Sequence, residues 1–258
     1  MPELPDIEVF SRNLDHLFSG KKLLNIKVVN GNKLKDSPAT LTGRLKGKIL
    51  KRIYRSGKEM RFEFSEGILL GLHLMLTGDI ILFDKKNTHH STIVELYFEG
   101  ASGLALTDRM RNANIKLDPE DKQGVDALSK ELNFAYLKKA LQRKTSIKKV
   151  LTDQDSIRGI GNSYSDEILW EARIHPYSIA AAIPDQKIKE LLKIIKKRLK
   201  KEISQIYKKF PGKVNVEVKD FMNIHTKEKT ESPTGAKIIV DKNGMMKTYY
   251  TREQQLYK

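Results

Sequence analysis

Cysteine is absent from the 258-residue chain. Its absence excludes a disulfide framework, a thiolate nucleophile and any zinc or iron–sulfur site built on cysteine. Long apolar runs are also lacking, and none approaches the roughly 18 residues of a membrane span. The N-terminus does not show the charged-then-apolar pattern of a signal peptide. We therefore expect a soluble, cytoplasmic protein, associated with the nucleoid if the source is bacterial.

Acidic residues are outnumbered, since 48 Lys+Arg face 32 Asp+Glu and the net charge is +16 at pH 7. Hydrophobic residues make up 39% of the chain, which is enough for a core. The length is that of one large domain or two ordinary ones. The positive excess indicates a polyanionic partner, nucleic acid first and an acidic membrane surface second. Composition alone also allows the extra lysines to be merely solvated.

The first half of the chain has the pattern of a β protein. Short apolar or alternating segments predict strands at 22–29, 59–64, 68–83 and 92–98. Evenly spaced short strands are typical of a sandwich or barrel. Residues 5–18 are the exception, because their apolar spacing predicts an amphipathic helix.

The second half, after a polar linker at 118–130, has the pattern of a helical protein. Helical spacing predicts helices at 133–143, 145–152 and 185–208, and another that follows a Gly-rich turn and ends near Pro176. The basic face of the 185–208 helix can be an ordinary solvated surface. Residues 214–218 and 236–251 predict strands of a small hairpin, with Lys242-Asn243-Gly244 at the turn.

The chain opens with Met1-Pro2-Glu3, which can carry chemistry. Removal of the initiator methionine leaves a proline secondary amine with a free lone pair. Because an α-amino group has a pKa of roughly 7.7–8.0, a neutral, nucleophilic fraction exists near pH 7. A secondary amine that attacks an electrophilic carbon yields an iminium ion, and Glu3 can transfer protons or stabilise a cationic sugar. These residues alone leave open an ordinary proline-bearing start.

Five landmarks occur in order along the chain. They are Met1–Glu8 (MPELPDIE), Ser56-Gly57-Lys58, Leu72–Gly78 (LHLMLTG), Ile157–Glu167 (IRGIGNSYSDE) followed by Ile174-His175-Pro176, and a C-terminal segment without cysteine. Together they resemble the formamidopyrimidine-DNA glycosylase / endonuclease VIII family over essentially the whole chain. The resemblance implies an α+β fold with an N-terminal β-sandwich and leading helix, a C-terminal helical domain with a helix–two-turns–helix motif, and a zinc-less β-hairpin finger. The corresponding domains are residues 1–120, 121–213 and 214–258.

The resemblance implies a bifunctional DNA glycosylase and AP lyase of base excision repair. The Pro2 nitrogen would attack the anomeric carbon, and Glu3 would protonate the sugar ring oxygen or assist loss of the base. The 3′ and then the 5′ phosphate would be eliminated from the resulting Schiff base. Lys58 is carried over as a phosphate-binding and proton-transfer residue, which suits an ammonium on a long stem. The resemblance implies no cofactor, no metal and no membrane; the partner is duplex DNA with damaged bases or abasic sites, and we expect a monomer.

Other positions match DNA contacts of the family. His73 and His90 correspond to DNA-strand contacts, although lone histidines in strands are also often structural. Arg143 matches a basic phosphate contact. Asn162 lies in a Gly-rich turn before a helix, where backbone N–H groups and an amide can hold a phosphate. A helix N-cap is the alternative role for Asn162.

A base can be excised only after it leaves the stack, and an apolar wedge then fills the space. Leu76 takes the position of the family's wedge methionine. In the family's D-x-R-R-F-G loop, Met110 replaces the arginine that reads the orphaned base and Asn112 replaces the aromatic wedge. Arg111 remains as a phosphate contact. Met110 can itself insert as a flexible apolar plug, and the preferred opposite base stays open.

The tail departs further from the family. The four zinc-binding cysteines map onto Glu231, Thr234, Thr251 and Gln254, which do not make a zinc site. We predict instead a zinc-free hairpin held by packing of Ile238, Val240, Tyr249 and Tyr250. The family's finger arginine falls on Met246, so the adjacent Lys247 is the candidate phosphate contact and a slow second elimination is expected.

The substrate branch follows from residues 220–225, which run almost directly into the tail. Family members that prefer oxidised purines carry a long loop at this place, so the short segment favours oxidised pyrimidines. One rival is a non-catalytic or lyase-only binder of abasic or damaged DNA, suggested by the substitutions at Met110, Asn112 and Met246. A second rival is a basic RNA-binding protein of the translation machinery, which explains the charge but not Pro2-Glu3.

Overall fold

The computed structural model describes residues 1–242 and 246–258. They fold into two units, each made of two stretches of chain. Unit 1 contains Met1–Asp121 and Ile206–Glu217, and unit 2 contains Lys122–Gln205 and Val218–Lys258. Among the described residues, no helix combines the length and the apolar character needed to cross a bilayer.

Unit 1 is a sandwich of two four-stranded sheets with a leading helix. Its elements are α1 (Leu4–Phe18), β1 (Leu23–Val28), α2 (Pro38–Leu45), β2 (Leu50–Ser56), β3 (Glu59–Phe64), β4 (Leu69–His73), β5 (Gly78–Asp84), β6 (Thr92–Phe98), β7 (Ser102–Asp108) and β8 (Asn114–Leu117). The strand orders are β1-β6-β7-β5 and β2-β3-β4-β8, with every neighbouring pair antiparallel. Apolar residues of both sheets and of α1 form one buried cluster. The predicted sandwich with a leading helix is confirmed.

Helix α1 forms because apolar residues recur every three or four positions along it and bury one face against the sandwich core. The deepest of them are Ile7, Phe10, Leu14 and Phe18. At its N-terminus, Glu3 and Asp6 form a reciprocal capping box, and Asp6 Oδ2 accepts the backbone N–H of Glu3 at 3.1 Å. The helix predicted at 5–18 is confirmed, and its cap determines where Pro2 lies.

Most predicted strands of unit 1 are confirmed, and the β segment predicted over 68–83 forms two strands. The chain turns at residues 74–77 between β4 and β5. Gly78 permits this turn, because a Cβ there would lie 2.3 Å from the carbonyl oxygen of Leu74 and 2.6 Å from the Cβ of Ala113. The apolar run therefore belongs to two strands in one chain, and the turn between them presents Leu76.

The strand predicted at 214–218 is also wrong, because this segment is irregular. Val216 has a φ of 62°, which is rare for a β-branched residue. Its backbone N–H donates to Asp79 Oδ1 at 3.2 Å, and the Asn215 amide donates to the carbonyl of Ile80 at 3.0 Å. Bonds to β5 thus replace the ladder that the alternating valines suggested.

Unit 2 is mainly helical. Its elements are β9 (Val125–Asp126), α3 (Phe134–Ala140), α4 (Ile147–Thr152), β10 (Ile157–Arg158), α5 (Asn162–Glu171), α6 (Asp185–Lys209, whose last residues belong to unit 1), β11 (Ile239–Asp241) and β12 (Thr248–Tyr250). Short 3₁₀ helices lie at Ser65–Gly67 in unit 1 and at Ala180–Ala182 in unit 2. The predicted helices are confirmed. The helix after the Gly-rich turn ends at Glu171, earlier than expected, because Arg173 takes a φ of 56°.

The C-terminal tail contains an antiparallel pair, β11 with β12. The predicted turn at Lys242-Asn243-Gly244 falls in part on residues 243–245, which lie outside the described residues. Ile238 and Tyr249 pack with Trp170 and Ile224 in a buried cluster, as predicted for the first two. Val240 is exposed, so its predicted packing role is wrong. Tyr250 contacts the ring of His175 edge-on at 4.6 Å.

Candidate active site

The start of the chain in unit 1 is buried. Pro2 is buried, and Glu3 is 2% exposed at the N-cap position of α1. The Met1 amino group lies 3.1 Å from Glu217 Oε2, so a carboxylate faces the chain terminus. A proline and an acid held in this way can act on one bound sugar without first being ordered.

Lys58 lies in the two-residue turn of the hairpin between β2 and β3, where Gly57 has a φ of 60°. It is only 9% exposed, unusual for a lysine in a hairpin turn. Arg55 in the same hairpin donates to Glu8 of α1 at 2.9 Å and to the carbonyl of Gly57 at 3.0 Å. This ion pair links the turn that carries Lys58 to the helix that begins after Pro2-Glu3.

Asp108 joins two turns of unit 1 that present apolar side chains. Its carboxylate accepts the Thr77 hydroxyl at 2.6 Å and the backbone N–H groups of Met110, Asn112 and Ala113 at 2.7–2.9 Å. Burial acts to raise the pKa of Asp108, but these hydrogen bonds outweigh it and lower the pKa below its usual range. The turn with Leu76 is thereby tied to the loop with Met110.

The wedge candidates at these turns are unusually exposed for apolar residues. Leu76 is 61% exposed and Met110 is 54% exposed. Asn112, at the position of the family's aromatic wedge, accepts a hydrogen bond from Lys33 at 2.7 Å and is held at the surface. Two solvated apolar side chains on neighbouring turns are the geometry that insertion into a base stack requires.

The basic candidates of unit 1 border the same turns. Arg111 is exposed. Its guanidinium donates to the side-chain oxygen of Asn30 at 3.2 Å when the Asn30 amide is turned so that its oxygen faces the donor. His73 closes the end of β4, where its Nδ1 accepts the backbone N–H of Met75 at 2.9 Å. His90 is exposed and precedes Ser91, whose carbonyl accepts the backbone N–H of Asp108 at 2.9 Å.

In unit 2 the structure brings Asn162 and Lys247 together. Asn162 is the first residue of α5, and Gly161 is the N-cap, so the alternative role of Asn162 as N-cap is wrong. The Asn162 amide donates to the carbonyl oxygen of Lys247 at 3.1 Å. The Lys247 side chain is exposed, and its backbone lies beside the positive end of α5.

A buried ion pair that has no signature in the sequence holds this arrangement. Lys148 Nζ lies 2.6 Å from Asp166 Oδ1 and donates to the Thr248 hydroxyl at 2.9 Å. Asp166 Oδ2 also accepts the backbone N–H of Tyr249 at 2.9 Å and lies 2.8 Å from His225 Nδ1. One carboxylate of α5 thereby binds α4, the start of β12 and the segment at residue 225.

Arg143 is engaged within unit 2. It donates to Asp153 Oδ2 at 2.8 Å and to the Ser156 hydroxyl at 3.1 Å. The bond from Arg143 is the largest cause that lowers the pKa of Asp153, with the backbone of Asp155 and the Ser156 hydroxyl assisting against burial. A phosphate that binds Arg143 must therefore share it with Asp153 or displace that carboxylate.

The four positions that correspond to zinc ligands form hydrogen bonds instead. Thr234 and Thr251 both donate to Glu253 Oε2, at 2.8 and 3.2 Å, and Arg173 pairs with the same oxygen at 2.7 Å. Gln254 accepts the backbone N–H of Thr251 at 2.8 Å and donates to the carbonyl of Ile174 at 2.8 Å. Glu231 forms an isolated antiparallel bridge with Lys237. Within residues 1–242 and 246–258, no group of three His, Cys, Asp or Glu side chains has the geometry for a metal ion.

Three contributors escaped the sequence analysis. Asp108 opens the loop that contains Met110, and an acid at the start of a turn is a sequence signal for backbone hydrogen bonds. Glu217 and Lys148 carried no such signal, because their partners are more than ninety residues away or lie on another helix.

Fold and site together define a two-unit α+β protein that joins a β-sandwich to a helix–two-turns–helix motif. Residues 1–115 match the model of the formamidopyrimidine-DNA glycosylase N-terminal domain, and residues 123–210 match that of the formamidopyrimidine-DNA glycosylase H2TH domain. The formamidopyrimidine-DNA glycosylase of Lactobacillus gasseri is 32% identical over 204 residues, which cover 74% of this chain and 73% of that protein. That of Carboxydothermus hydrogenoformans is 34% identical over 205 residues, covering 77% and 76%.

Solved structures show the same fold. A complex of Lactococcus lactis Fpg with DNA containing an abasic site has a TM-score of 0.87 at 22% identity and covers 98% of this chain and 99% of that one. Lactococcus lactis formamidopyrimidine-DNA glycosylase bound non-covalently to DNA with an AP site has a TM-score of 0.86 at 23% identity, with the same coverage. This chain belongs to the formamidopyrimidine-DNA glycosylase family.

Proposed function

We propose that this chain is a bifunctional DNA glycosylase and AP lyase that excises oxidised bases, pyrimidines in preference to purines, through a Schiff base on Pro2. The observation that carries the proposal is the buried Pro2-Glu3 start of α1, linked through Glu8 and Arg55 to the turn with Lys58. Membership of the family supports the glycosylase class. We propose that the protein acts in the cytoplasm, where its DNA substrate lies.

The reaction starts once Met1 is removed. The neutral Pro2 nitrogen forms a bond to C1′, and the C1′–base bond breaks, with its electron pair leaving on the base. The proton that the nitrogen then releases neutralises the departing base. Protonation of the sugar ring oxygen by Glu3 opens the ring and leaves an iminium ion between Pro2 and C1′. Loss of a C2′ proton expels the 3′ phosphate, and a second elimination expels the 5′ phosphate. Lys58 holds a phosphate and transfers protons during these steps.

The DNA contacts that we propose occupy both units. In unit 1, Leu76 is the wedge that replaces the extruded base, and His73, His90 and Arg111 contact the strand. In unit 2, Arg143, Asn162 and Lys247 contact phosphates. The hydrogen bond from the Asn162 amide to the carbonyl of Lys247 supports the pairing of the last two, because it brings the backbone of Lys247 to the start of α5.

The preference for pyrimidines rests on the segment that precedes the tail. The backbone N–H groups of Asn223, Ile224 and His225 all donate to the buried carboxylate of Glu167 at 2.7–2.9 Å. Met222 and Ile224 are fully buried. A short segment pinned in this way leaves no long loop to cover an extruded purine.

Reductive trapping tests the proposal. Duplexes with an oxidised pyrimidine, an oxidised purine or an abasic site are incubated with the protein and borohydride, which reduces the iminium to a stable adduct. We expect an adduct that mass mapping places at Pro2, formed fastest on the oxidised pyrimidine among the two base lesions. Faster trapping on the purine would overturn the preference, and no adduct on any duplex would overturn the enzyme.

Matched preparations make the result specific. A chain with a tag fused ahead of Met1 has no free amine at Pro2 and should form no adduct, whereas Pro5→Ala keeps the amine and should form one. Intact mass establishes beforehand that Met1 has been removed. The rival is a binder of abasic DNA, favoured by the exposed Met110 in place of a base-reading arginine; it would bind the abasic duplex in both preparations without an adduct.

A further inference from the structure

Helix α6 carries an unusual concentration of positive charge, with ten Lys or Arg and three Asp or Glu between Asp185 and Lys209. Four of its lysines, Lys189, Lys193, Lys197 and Lys200, are exposed and follow one another at intervals of four, four and three residues. At a rise of 1.5 Å per residue they form a ridge about 17 Å long on one face of the helix. We call this set the lysine ridge.

The lysine ridge has no carboxylate that neutralises it. Ion pairs of α6 include those of Asp185 with Lys138, of Glu190 with Lys187 and of Glu202 with Arg198. Among the described residues, no carboxylate lies within 4.0 Å of a ridge ammonium. The acidic residues of α6 therefore serve other positions. Four like charges are kept close together on a solvated surface, which costs free energy unless an anion binds them.

The ridge borders a groove with apolar side chains in its lining. Leu132 and Phe134 form one wall, and Leu192 and the stems of Lys193 and Lys197 form the other. The Lys189 ammonium lies 5.4 Å from the centre of the Phe134 ring. Lysine stems that pack on apolar surface present their ammonium groups in a restricted set of positions, so less entropy is lost when an anion binds.

The ridge lies apart from the site proposed above in unit 2. Arg198 and Glu202, on the buried side of α6, face Glu167 of α5, which is the helix that begins with Asn162. The ridge residues point to the opposite side of α6, because at 100° per residue they fall roughly 150° from the buried face. A ligand on the ridge is therefore additional to a phosphate at Asn162.

We propose that the lysine ridge is a second, sequence-independent contact surface for the phosphate backbone of duplex DNA. A duplex carries a phosphate about every 3.4 Å of axis in each strand, so 17 Å of ridge faces about five phosphates of one strand. A lipid surface fits less well, since an interfacial helix inserts its apolar face and the apolar face of α6 is buried in the unit. The surface adds affinity for undamaged DNA next to a lesion.

The salt dependence of binding tests this proposal. The triple variant Lys193→Gln/Lys197→Gln/Lys200→Gln is compared with Lys46→Gln/Lys51→Gln/Lys86→Gln, which removes the same charge from exposed lysines of unit 1. Fluorescence anisotropy with an undamaged duplex of about 30 base pairs gives log Kd against log [NaCl] between about 50 and 300 mM. We expect the slope to fall by about 2 to 3 in the ridge variant and the affinity at about 100 mM to fall at least tenfold.

Three further comparisons distinguish this proposal from its alternatives. A slope that falls equally in both variants would mean that only net charge matters, and the proposal would be wrong. Loss of borohydride trapping on a lesion duplex of about 12 base pairs would place the ridge within the lesion site and also overturn it. Vesicles with phosphatidylserine provide a third arm, in which a selective loss of vesicle binding at an unchanged DNA slope assigns the ridge to lipid. Because the main readout uses undamaged DNA, the proposed glycosylase can fail while the ridge is still tested.

Discussion

Glu202 is a carboxylate that α6 places in the interior of unit 2, where it is 1% exposed. Its nearest cation is Arg198, 3.5 Å away, but Arg198 lies closer to Glu167, at 3.0 Å. Burial raises the pKa of Glu202 to about 7, with Arg198 opposing the shift and Glu167 adding to it. One guanidinium is thus shared by two acids, and Glu202 is the acid that takes up a proton.

The raised pKa makes stability depend on pH. Between the unfolded value of 4.5 and the folded value of about 7, the folded state binds more protons than the unfolded state, so stability falls as pH rises through this range. Glu202→Gln removes the titration and should shrink the stability difference between pH 5 and pH 8 by on the order of 3 kcal/mol. Urea unfolding at both pH values measures it. Glu190→Gln, an exposed acid on the same helix, should leave the difference unchanged, and an equal effect of both variants would contradict the assignment.

Lys148 and Lys149 are adjacent lysines with opposite environments. Lys148 is 5% exposed and paired with Asp166 at 2.6 Å, whereas Lys149 is exposed. Lys148→Met leaves the Asp166 carboxylate buried without its cation and should destabilise the protein by about 3–5 kcal/mol. Lys149→Met should change stability by less than about 0.5 kcal/mol. Urea unfolding of both variants at one pH measures the change in the free energy of unfolding. Similar changes for the two variants would contradict the prediction, because they would show that Asp166 does not depend on Lys148 for its stability.

At the scale of elements, the tail shows how a segment without thiolates is kept in place. Glu253 Oε2 receives Thr234, Thr251 and Arg173, so one carboxylate joins the two ends of the tail to the loop after α5. Burial acts to raise the pKa of Glu253, but these partners outweigh it and lower the pKa. A metal ion in the same place would join the same stretches of chain; here hydrogen bonds do so.

The tail should therefore loosen when Glu253 is neutralised. We expect Glu253→Ala to speed amide hydrogen exchange in residues 246–258 about tenfold while exchange in β6 and β7 of unit 1 stays unchanged. Because the folded pKa of Glu253 is lowered, its contribution is present above the unfolded value of 4.5 and is lost as pH falls through the folded pKa, so the difference between variant and parent should shrink as the pH is lowered below 4.5. Glu231→Ala, an exposed acid of the same tail, is the control. Amide exchange in the tail of Glu253→Ala that is as slow as in the parent would contradict this role.

A strong period in the sequence predicted the long helix correctly, but a strand-like period was misleading in one segment. Helix α6 has apolar residues at Ile188, Leu191, Ile195 and Leu199, a period that only a helix with one buried face satisfies. The alternating valines at 214–218 have the period of a strand, yet Asp79 and Asn215 supply the backbone partners instead. The pattern records which residues are apolar, but not which distant side chain satisfies the backbone.

The candidate site divides in the same way. The Pro2-Glu3 start and the turn before Asn162 could be found because the groups concerned are neighbours in sequence. The roles of Glu217 and Lys148 could not be found, since each depends on contacts with residues remote in sequence. Sequence reasoning therefore finds the reacting groups more readily than the groups that position them.

At the scale of the whole molecule, the net charge of +16 opposes folding through self-repulsion. Attraction between exposed ion pairs acts in the other direction, but such pairs are worth only about 0.2–1 kcal/mol each. Several of the pairs in unit 1, such as Arg44 with Asp118, are about half exposed. The unbalanced excess outweighs these pairs, so screening by salt should favour the folded state.

Salt should consequently have opposite effects on stability and on DNA binding. Raising NaCl from about 20 to 300 mM shortens the screening length from roughly 20 Å to below 8 Å, which should raise Tm by a few degrees, corresponding to about 1–2 kcal/mol. The same change should weaken DNA binding by several orders of magnitude, because counterion release then yields less free energy. Differential scanning calorimetry and fluorescence anisotropy over one salt series measure both effects. Lys46→Gln/Lys51→Gln/Lys86→Gln carries three charges fewer and should show a smaller rise in Tm. A Tm that falls with salt would mean that exposed ion pairs outweigh the self-repulsion, and the charge excess would then act on partners alone.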